Sequence, residues 1–187
     1  MKSLTIKCIV AGDGAVGKTS LVRSFMGDVF KKDYLLTVGV DVSSKVIEFK
    51  DQKVVLSVND IAGQPRFETF RAVFFKGTAI ALLCFDLTRD QTLKSLTSSW
   101  IPELATQSDP NSAVHCILIG NKSDLEDLRS ITESDAKAEL KKMQKTFLNL
   151  KFIGYIETSA LNNKNVGACF TDLTKAFLEY KGLKVES

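Results

Sequence analysis

Apolar residues recur along this chain with two periods, and segments of the two kinds alternate. Alternating or continuous apolar runs at residues 4–11, 41–49, 53–59, 79–86, 114–120 and 152–157 predict strands. Apolar positions three and four apart predict helices near residues 17–26, 69–76, 92–106, 133–147 and 166–180. One helical stripe comprises Val166, Cys169, Phe170, Leu173 and Phe177, and another Leu93, Leu96, Trp100 and Leu104. Both are expected to face a core. The runs at 79–86 and 114–120 are apolar almost throughout, which suits parallel strands covered by helices on both faces. Asp51-Gln52 is a short polar break between two strand patterns and predicts an antiparallel hairpin. The expected fold class is α/β: one doubly wound domain over residues 1–187, with a mostly parallel six-stranded sheet and one antiparallel edge strand.

Composition narrows this picture only slightly. At 44% hydrophobic and 25% charged, the 187 residues suit one soluble domain with a full core. A net charge of +3 is too small to point to a nucleic-acid partner. Lys137, Lys141, Lys142 and Lys145 interleave with Glu133, Asp135 and Glu139, as on a solvated helix face. Cys8, Cys84, Cys116 and Cys169 form no C-x-x-C pair, and three of them lie in apolar runs. That pattern points to buried thiols in a reducing compartment rather than to disulfides or zinc. His115 has no companion ligands nearby and is read as structural. No signal-peptide core follows Met1-Lys2-Ser3, and the longest apolar run, 79–85, is too short to span a bilayer. Lys184-Val185-Glu186-Ser187 offers no cysteine for prenylation. The expectation is a cytoplasmic protein without a transmembrane segment, whose peripheral membrane association would need a route other than a lipid on this chain.

The chemistry gathers at the carboxyl ends of the predicted strands. Gly12-Asp13-Gly14-Ala15-Val16-Gly17-Lys18-Thr19 fits the phosphate-loop pattern, with a strand pattern before it and a helix pattern after it. Its glycines let successive N–H groups turn toward phosphate oxygens, and the helix N-terminus adds positive potential. In such a loop Lys18 reaches the outer phosphates and Thr19 ligates Mg²⁺. Asp60-Ile61-Ala62-Gly63-Gln64 closes the third strand. There Asp60 can hold a magnesium-bound water, Gly63 can offer its N–H to a terminal phosphate, and Gln64 can orient an attacking water. Asn121-Lys122-Ser123-Asp124 follows the fifth strand. Asp124 offers paired acceptors to guanine's ring N–H and amine, an arrangement that adenine does not satisfy. Lys122 can lay its stem along the base, and Asn121 can tie this loop to the phosphate loop. In Glu157-Thr158-Ser159-Ala160-Leu161, small residues let a backbone N–H approach the guanine oxygen.

In this order the four motifs resemble those of the Ras superfamily of small GTPases, and the resemblance covers nearly the whole chain. Thr37-Val38-Gly39-Val40-Asp41, Arg66-Phe67-Glu68-Thr69-Phe70 and Phe74-Phe75-Lys76-Gly77 look Rab-like. The phosphate loop and Ser159-Ala160-Leu161 look more like the Rho branch. The resemblance implies a P-loop NTPase (G) domain acting as a guanine-nucleotide switch, binding GTP or GDP with Mg²⁺ and hydrolysing GTP slowly, on the order of 10⁻⁴ s⁻¹ unaided. It implies that Thr37 ligates the metal and senses the γ-phosphate, that Phe30 packs edge-on against guanine and that Tyr34 closes over the phosphates. Gly14 would leave room for Gln64 and an incoming arginine finger. The implied catalytic residues are Gln64, Lys18 and Thr37. The implied nucleotide-binding residues are Asp13, Gly14, Ala15, Val16, Gly17, Lys18, Thr19, Ser20, Phe30, Tyr34, Thr37, Gly63, Asn121, Lys122, Asp124, Ser159, Ala160 and Leu161. The implied metal ligands are Thr19, Thr37 and, through water, Asp60. Residues 32–43 and 60–77 would meet an exchange factor, a GTPase-activating protein and effectors.

Four departures from the family pattern qualify this reading. Pro65 stands where relatives usually carry glutamate. It restricts Gln64 to extended backbone, which either shifts the intrinsic rate or changes nothing if relatives are extended there too. Asn59 and Val42 replace a tryptophan and a phenylalanine of the Rab effector surface, which argues against typical Rab effectors. Leu161 replaces a lysine and predicts apolar packing on the base. The segment from Asp124 to Ser159 is longer than usual, either as a longer helix and loop or as a partner-binding insertion. A hydrolysis-impaired nucleotide-bound scaffold is the main alternative, disfavoured by Thr37, Gly63 and Gln64. A phosphate-loop kinase or ATPase is disfavoured by Asp124.

Overall fold

The computed structural model describes residues 3–28, 37–50, 52–109, 111–183 and 185. Phe30, Tyr34 and residues 32–36 of the expected partner surface lie outside the described residues, as does Asp51 of the predicted turn. In chain order the elements are β1 (Ser3–Ala11), α1 (Lys18–Met26), β2 (Val40–Phe49), β3 (Gln52–Ile61), α2 (Glu68–Phe75) and β4 (Ile80–Asp86). A continuous helical run follows: α3 (Asp90–Ser95), a π-helical turn (Leu96–Trp100) and α4 (Ile101–Gln107). Then come β5 (Val114–Asn121), α5 (Glu133–Thr146), β6 (Leu150–Thr158) and α6 (Val166–Tyr180).

The strands form one sheet in the order β2-β3-β1-β4-β5-β6, with β2–β3 antiparallel and the other pairs parallel. The expected α/β architecture with one antiparallel edge is thus observed. Strand alternation splits the core between the two faces of the sheet. Ile6, Cys8 and Val10 of β1 with Ile80, Leu82 and Cys84 of β4 pack beneath α1 and α6. Ile9 and Ala11 with Ala81, Leu83 and Phe85 pack beneath the α3–α4 run and α5. Both faces being buried explains why β4 and β5 read as uninterrupted apolar runs. The order reverses at β1, whose neighbours are β3 and β4, so the crevice at its carboxyl end is where such sheets take ligands.

Three local differences from the sequence expectation have physical causes. β3 runs two residues further than predicted, because Asp60 and Ile61 still pair with Asp41 and Val40. The helix expected at 92–106 contains the π turn, with the Ile101 N–H reaching back to the Leu96 carbonyl. β6 starts two residues earlier than predicted, because Leu150 and Lys151 already pair with Val114 and His115. The start of α5 is fixed by a capping box: the Thr132 hydroxyl accepts the Asp135 N–H at 3.1 Å, and the Asp135 carboxylate accepts the Thr132 N–H at 3.0 Å.

The four cysteines are buried free thiols, and burial raises the pKa of each, to about 12 for Cys84. His115 is buried against Phe177 and Tyr180, and desolvation lowers its pKa.

Phe170 is fully buried and stacks on Phe25 with ring centroids 3.9 Å apart, joining α6 to α1. Phe170→Ala is expected to cost about 3–5 kcal/mol in urea unfolding. Thr132→Ala, which removes the cap but no core volume, should cost only ~1 kcal/mol, with an unchanged m-value.

Candidate functional site

The phosphate-loop residues connect β1 to α1 in a path that side chains would block. Gly12 has φ +140°, and a Cβ there would lie 2.1 Å from the Cys84 carbonyl oxygen. Gly17 has φ +96°, and a Cβ there would lie 2.3 Å from the Asn121 amide nitrogen. Lys18 folds back over the loop it follows: its ammonium donates to the Gly12 and Asp13 carbonyls, each at 2.7 Å. Burial lowers the Lys18 pKa, opposed in part by the nearby Asp60 carboxylate. Gly63 packs on the same loop, where a Cβ would stand 2.3 Å from the Asp13 carbonyl carbon. At Gly14 the situation differs. A Cβ there would make ordinary contact, 4.0 Å from the Gln64 Cγ, so only atoms beyond Cβ would crowd Gln64.

Thr19, Thr37 and Asp60 converge beside Lys18. The Thr19 and Thr37 hydroxyl oxygens are 2.8 Å apart, and the Thr19 hydroxyl donates to Asp60 Oδ2. Asp60 Oδ1 is buried and has no hydrogen-bond partner among the described residues. Burial raises the Asp60 pKa, opposed by the Thr19 hydrogen bond and by Lys18. A buried carboxylate with one unused oxygen, beside two hydroxyls, is a hard all-oxygen donor set. The 2.8 Å hydroxyl separation also matches the edge of about 2.9 Å expected for an octahedron with Mg–O distances near 2.05 Å. The residues present therefore fit a magnesium ion. The segment carrying Thr37 is tied to the Asp60 segment by the Ala62 N–H, which donates to the Gly39 carbonyl at 2.9 Å.

A cavity of about 160 Å³ opens next to the loop, lined by Gly17, Ser20, Asn121, Lys122, Asp124, Leu125, Ala160 and Leu161. Residues from three motifs thus share one wall. Asn121 joins them: its amide donates to the Val16 carbonyl at 2.9 Å and its oxygen accepts from the Thr158 hydroxyl at 3.0 Å. The Ser159 hydroxyl donates to Asp124 Oδ1. Lys122 takes a left-handed backbone, φ +66°, and extends to an ion pair with Asp86 at 2.7 Å. Leu161 is half exposed at the cavity edge, beside Leu125.

Several residues at the site carried no expected role. Asp86 ends β4 and gathers Lys122, the Thr88 N–H and hydroxyl, and Arg89. Burial would raise its pKa, but the hydrogen bonds from Lys122 and Thr88 outweigh this and hold it low. Arg89 also donates to the Gly14 carbonyl at 3.1 Å. The available signal was a carboxylate closing an apolar run, Cys84-Phe85-Asp86, at a strand's carboxyl end. Ser95 and Trp100 reach Asp13 from the helical run, and no spacing rule foretold that contact. Asn59 and Val42 differ in exposure. Asn59 is buried, with its amide donating to the Cys8 and Ser57 carbonyls, so it adds little to the outer surface, whereas Val42 is exposed.

Comparison with known proteins agrees with this arrangement. The Ras family model matches residues 7–179. Ras-related protein RABA5a of Arabidopsis thaliana is 36% identical over 181 residues, which is 97% of this chain and 77% of that protein. Ras-related protein RABA4b of the same plant is 34% identical over 167 residues, 89% of this chain and 70% of that protein. GTP-binding protein yptV5 of Volvox carteri is 34% identical over 177 residues, 93% of this chain and 82% of that protein. The match spans the strands, the loop and the cavity together, and the chain belongs to the Ras family as a Rab-like small GTPase, a GTP-binding molecular switch.

Proposed function

We propose that residues 1–187 form one nucleotide-binding unit in which residues 12–19 hold the phosphates of GTP or GDP and the cavity beside Asp124 holds guanine. The observation that carries this reading is the Asn121 bridge. It binds the base-side wall to the Val16 carbonyl of the phosphate loop, so both halves of a nucleotide would meet one rigid surface. Ala15 takes φ +62°, turning the backbone within the loop as a nest of N–H groups requires. Ser20, at the third position of α1, and Ala160 border the base side of the loop. Phe30 and Tyr34 retain the roles that the family resemblance implies.

For hydrolysis we assign Gln64 to orient the attacking water, Lys18 to balance charge on the outer phosphates and Thr37 to sense the γ-phosphate. Thr19 and Thr37 would hold Mg²⁺ directly and Asp60 through water. That ion supplies Lewis-acid charge neutralisation to the phosphate oxygens. Asp60 lies beside Lys18 and keeps its unused oxygen for a water. Exchange factors, activating proteins and effectors would engage residues 32–43 and 60–77. Val38, Val42, Phe70 and Val73 are exposed there and give that surface an apolar character. Among the described residues no helix is long and apolar enough to cross a membrane, and we place the protein in the cytoplasm with any membrane contact peripheral.

The purified chain should carry bound GDP and cleave GTP slowly under single-turnover conditions. Gln64→Leu should slow that cleavage on the order of 10²-fold with GDP affinity retained. Bound ATP, or cleavage unchanged in this variant, contradicts the assignment. Asp124→Asn removes one acceptor of the base contact. It should weaken GDP binding on the order of 10²-fold or more and shift preference toward xanthine nucleotides. A competition titration of GDP against XDP checks this, and unchanged GDP affinity refutes the contact.

A further inference from the structure

The helical run after β4 contains one turn of π-helix, Leu96–Trp100, and that turn faces the phosphate loop. The side chains of Ser95 and Trp100 both donate to the same oxygen, Asp13 Oδ1, at 2.7 and 2.8 Å. In an α-helix, residues five apart point about 140° away from each other. An i→i+5 turn brings them nearly into line, so the inserted residue is what allows two donors to meet one carboxylate oxygen. Trp100 is 1% exposed and serves two neighbours at once. Its N–H holds Asp13, while its ring face carries the Arg71 guanidinium of α2 at 4.0 Å from the centroid. Arg71 is itself buried and held by Glu103 of α4 and by Ser99 of the π turn, the latter at 3.1 Å.

This geometry makes a contiguous path. It runs from α2, which follows Gln64 by four residues, through Arg71 and the indole, to a phosphate-loop carboxylate. Asp13 stands between the Gly12 and Gly14 peptides, and its own carbonyl receives the Lys18 ammonium. A shift of Asp13 would therefore move the backbone around the phosphates and the lysine together. The charges at the two ends of the indole reinforce the link. A carboxylate accepting the N–H makes the ring more electron-rich, which strengthens its attraction for the guanidinium above it.

We propose that Trp100 is a positioning residue that couples the switch helix α2 to the phosphate loop. Movement of α2 between nucleotide states then changes how firmly Asp13 is held, and with it the rate of nucleotide release. The proposal rests on the reading of residues 12–19 as the triphosphate cradle. It also makes Trp100, the chain's single tryptophan, a built-in reporter of nucleotide state. Its emission should respond to the distance of one cation and one anion at opposite parts of the same ring.

The test has two arms. In the first, indole emission of the unmodified protein is compared with GDP and with a non-hydrolysable GTP analogue bound, both with Mg²⁺. A shift in intensity or wavelength between the two states is expected. In the second, release of mant-GDP, excited directly at the mant group, is measured for Trp100→Phe, Arg71→Met and the double variant. Trp100→Phe keeps an aromatic ring but lacks the N–H, and release about tenfold faster is expected. If the residues act in series, the double variant should release no faster than the faster single one. Identical emission in the two states overturns the proposal, and does so even if Trp100→Phe fails to fold. A folded Trp100→Phe with the parental release rate, or fully additive effects, also overturns it. A parent that binds no guanine nucleotide overturns the nucleotide reading itself, which separates the two failures.

Discussion

The arrangement of the site depends on close backbone approach around the phosphate loop. Gly12 lies against the β4 carbonyl of Cys84, Gly17 against the Asn121 amide, and Gly63 against the Asp13–Gly14 peptide, all at separations that forbid a Cβ. These three contacts clamp one loop between the ends of β4 and β5 and the segment after β3. Each contact brings a different part of the chain to the loop. A side chain at Gly12 or Gly63 would have to move backbone, and one at Gly17 would displace the buried Asn121 amide that bridges two motifs, so small errors there would spread across the site. Gly14 is not held this way, since a Cβ there meets only ordinary contacts. The pressure for glycine at that position comes from the room beyond it toward Gln64 and not from folding.

Two carboxylates, Asp86 buried and Asp13 half-buried, then connect parts that the glycines only bring near. Asp86 joins Lys122 on the base side to Arg89, which reaches the Gly14 carbonyl. Asp13 joins the loop to Ser95 and Trp100. A buried carboxylate is costly unless fully partnered, and Asp86 is met by Lys122 from beyond β5 as well as by Thr88 and Arg89 beside it. Losing one partner would leave a charge uncompensated, so the network favours a single relative placement of the loop, the base wall and the α3–α4 run. That gives the sheet's carboxyl end a rigidity that its irregular loops alone would not provide.

The strand and helix pattern was legible because burial on both faces of the sheet leaves a strong periodic signal. The motifs were legible because their glycines and charged residues stand at fixed offsets from strand ends. The π turn was not. Leu93, Leu96, Trp100 and Leu104 are spaced three, four and four apart, which a regular helix satisfies equally well. Only the backbone shows the extra residue that redirects Ser95 and Trp100. Asp86 was overlooked for a related reason: a lone acidic residue after an apolar strand has no meaning until Lys122 and Arg89 arrive from elsewhere. Asn59 lies opposite the exposed Val42 across the β2–β3 pair. Its position on the inner strand β3, next to β1, buries it.

The start of α2 shows how a local departure from the family pattern can be absorbed. The helix begins after Phe67 with no side-chain cap. What precedes it is a 3₁₀ turn, Pro65–Phe67, closed by the Phe67 N–H donating to the Gln64 carbonyl at 3.1 Å. Proline is suited to the first position of such a turn, because its missing N–H would have had no partner there and its φ is already set. Pro65 thus defines where the turn begins, in place of the absent cap, and reduces the entropy lost when the segment orders. The same ring disfavours helical backbone at Gln64. Gln64 is therefore held outside the helix, with its Cγ near Gly14, while Arg71 one helical turn into α2 rests on Trp100. The two ends of this short segment are fixed by different means, one by a ring in the backbone and the other by a ring in the core. Between them lies the stretch that must rearrange if the γ-phosphate is to act as a signal.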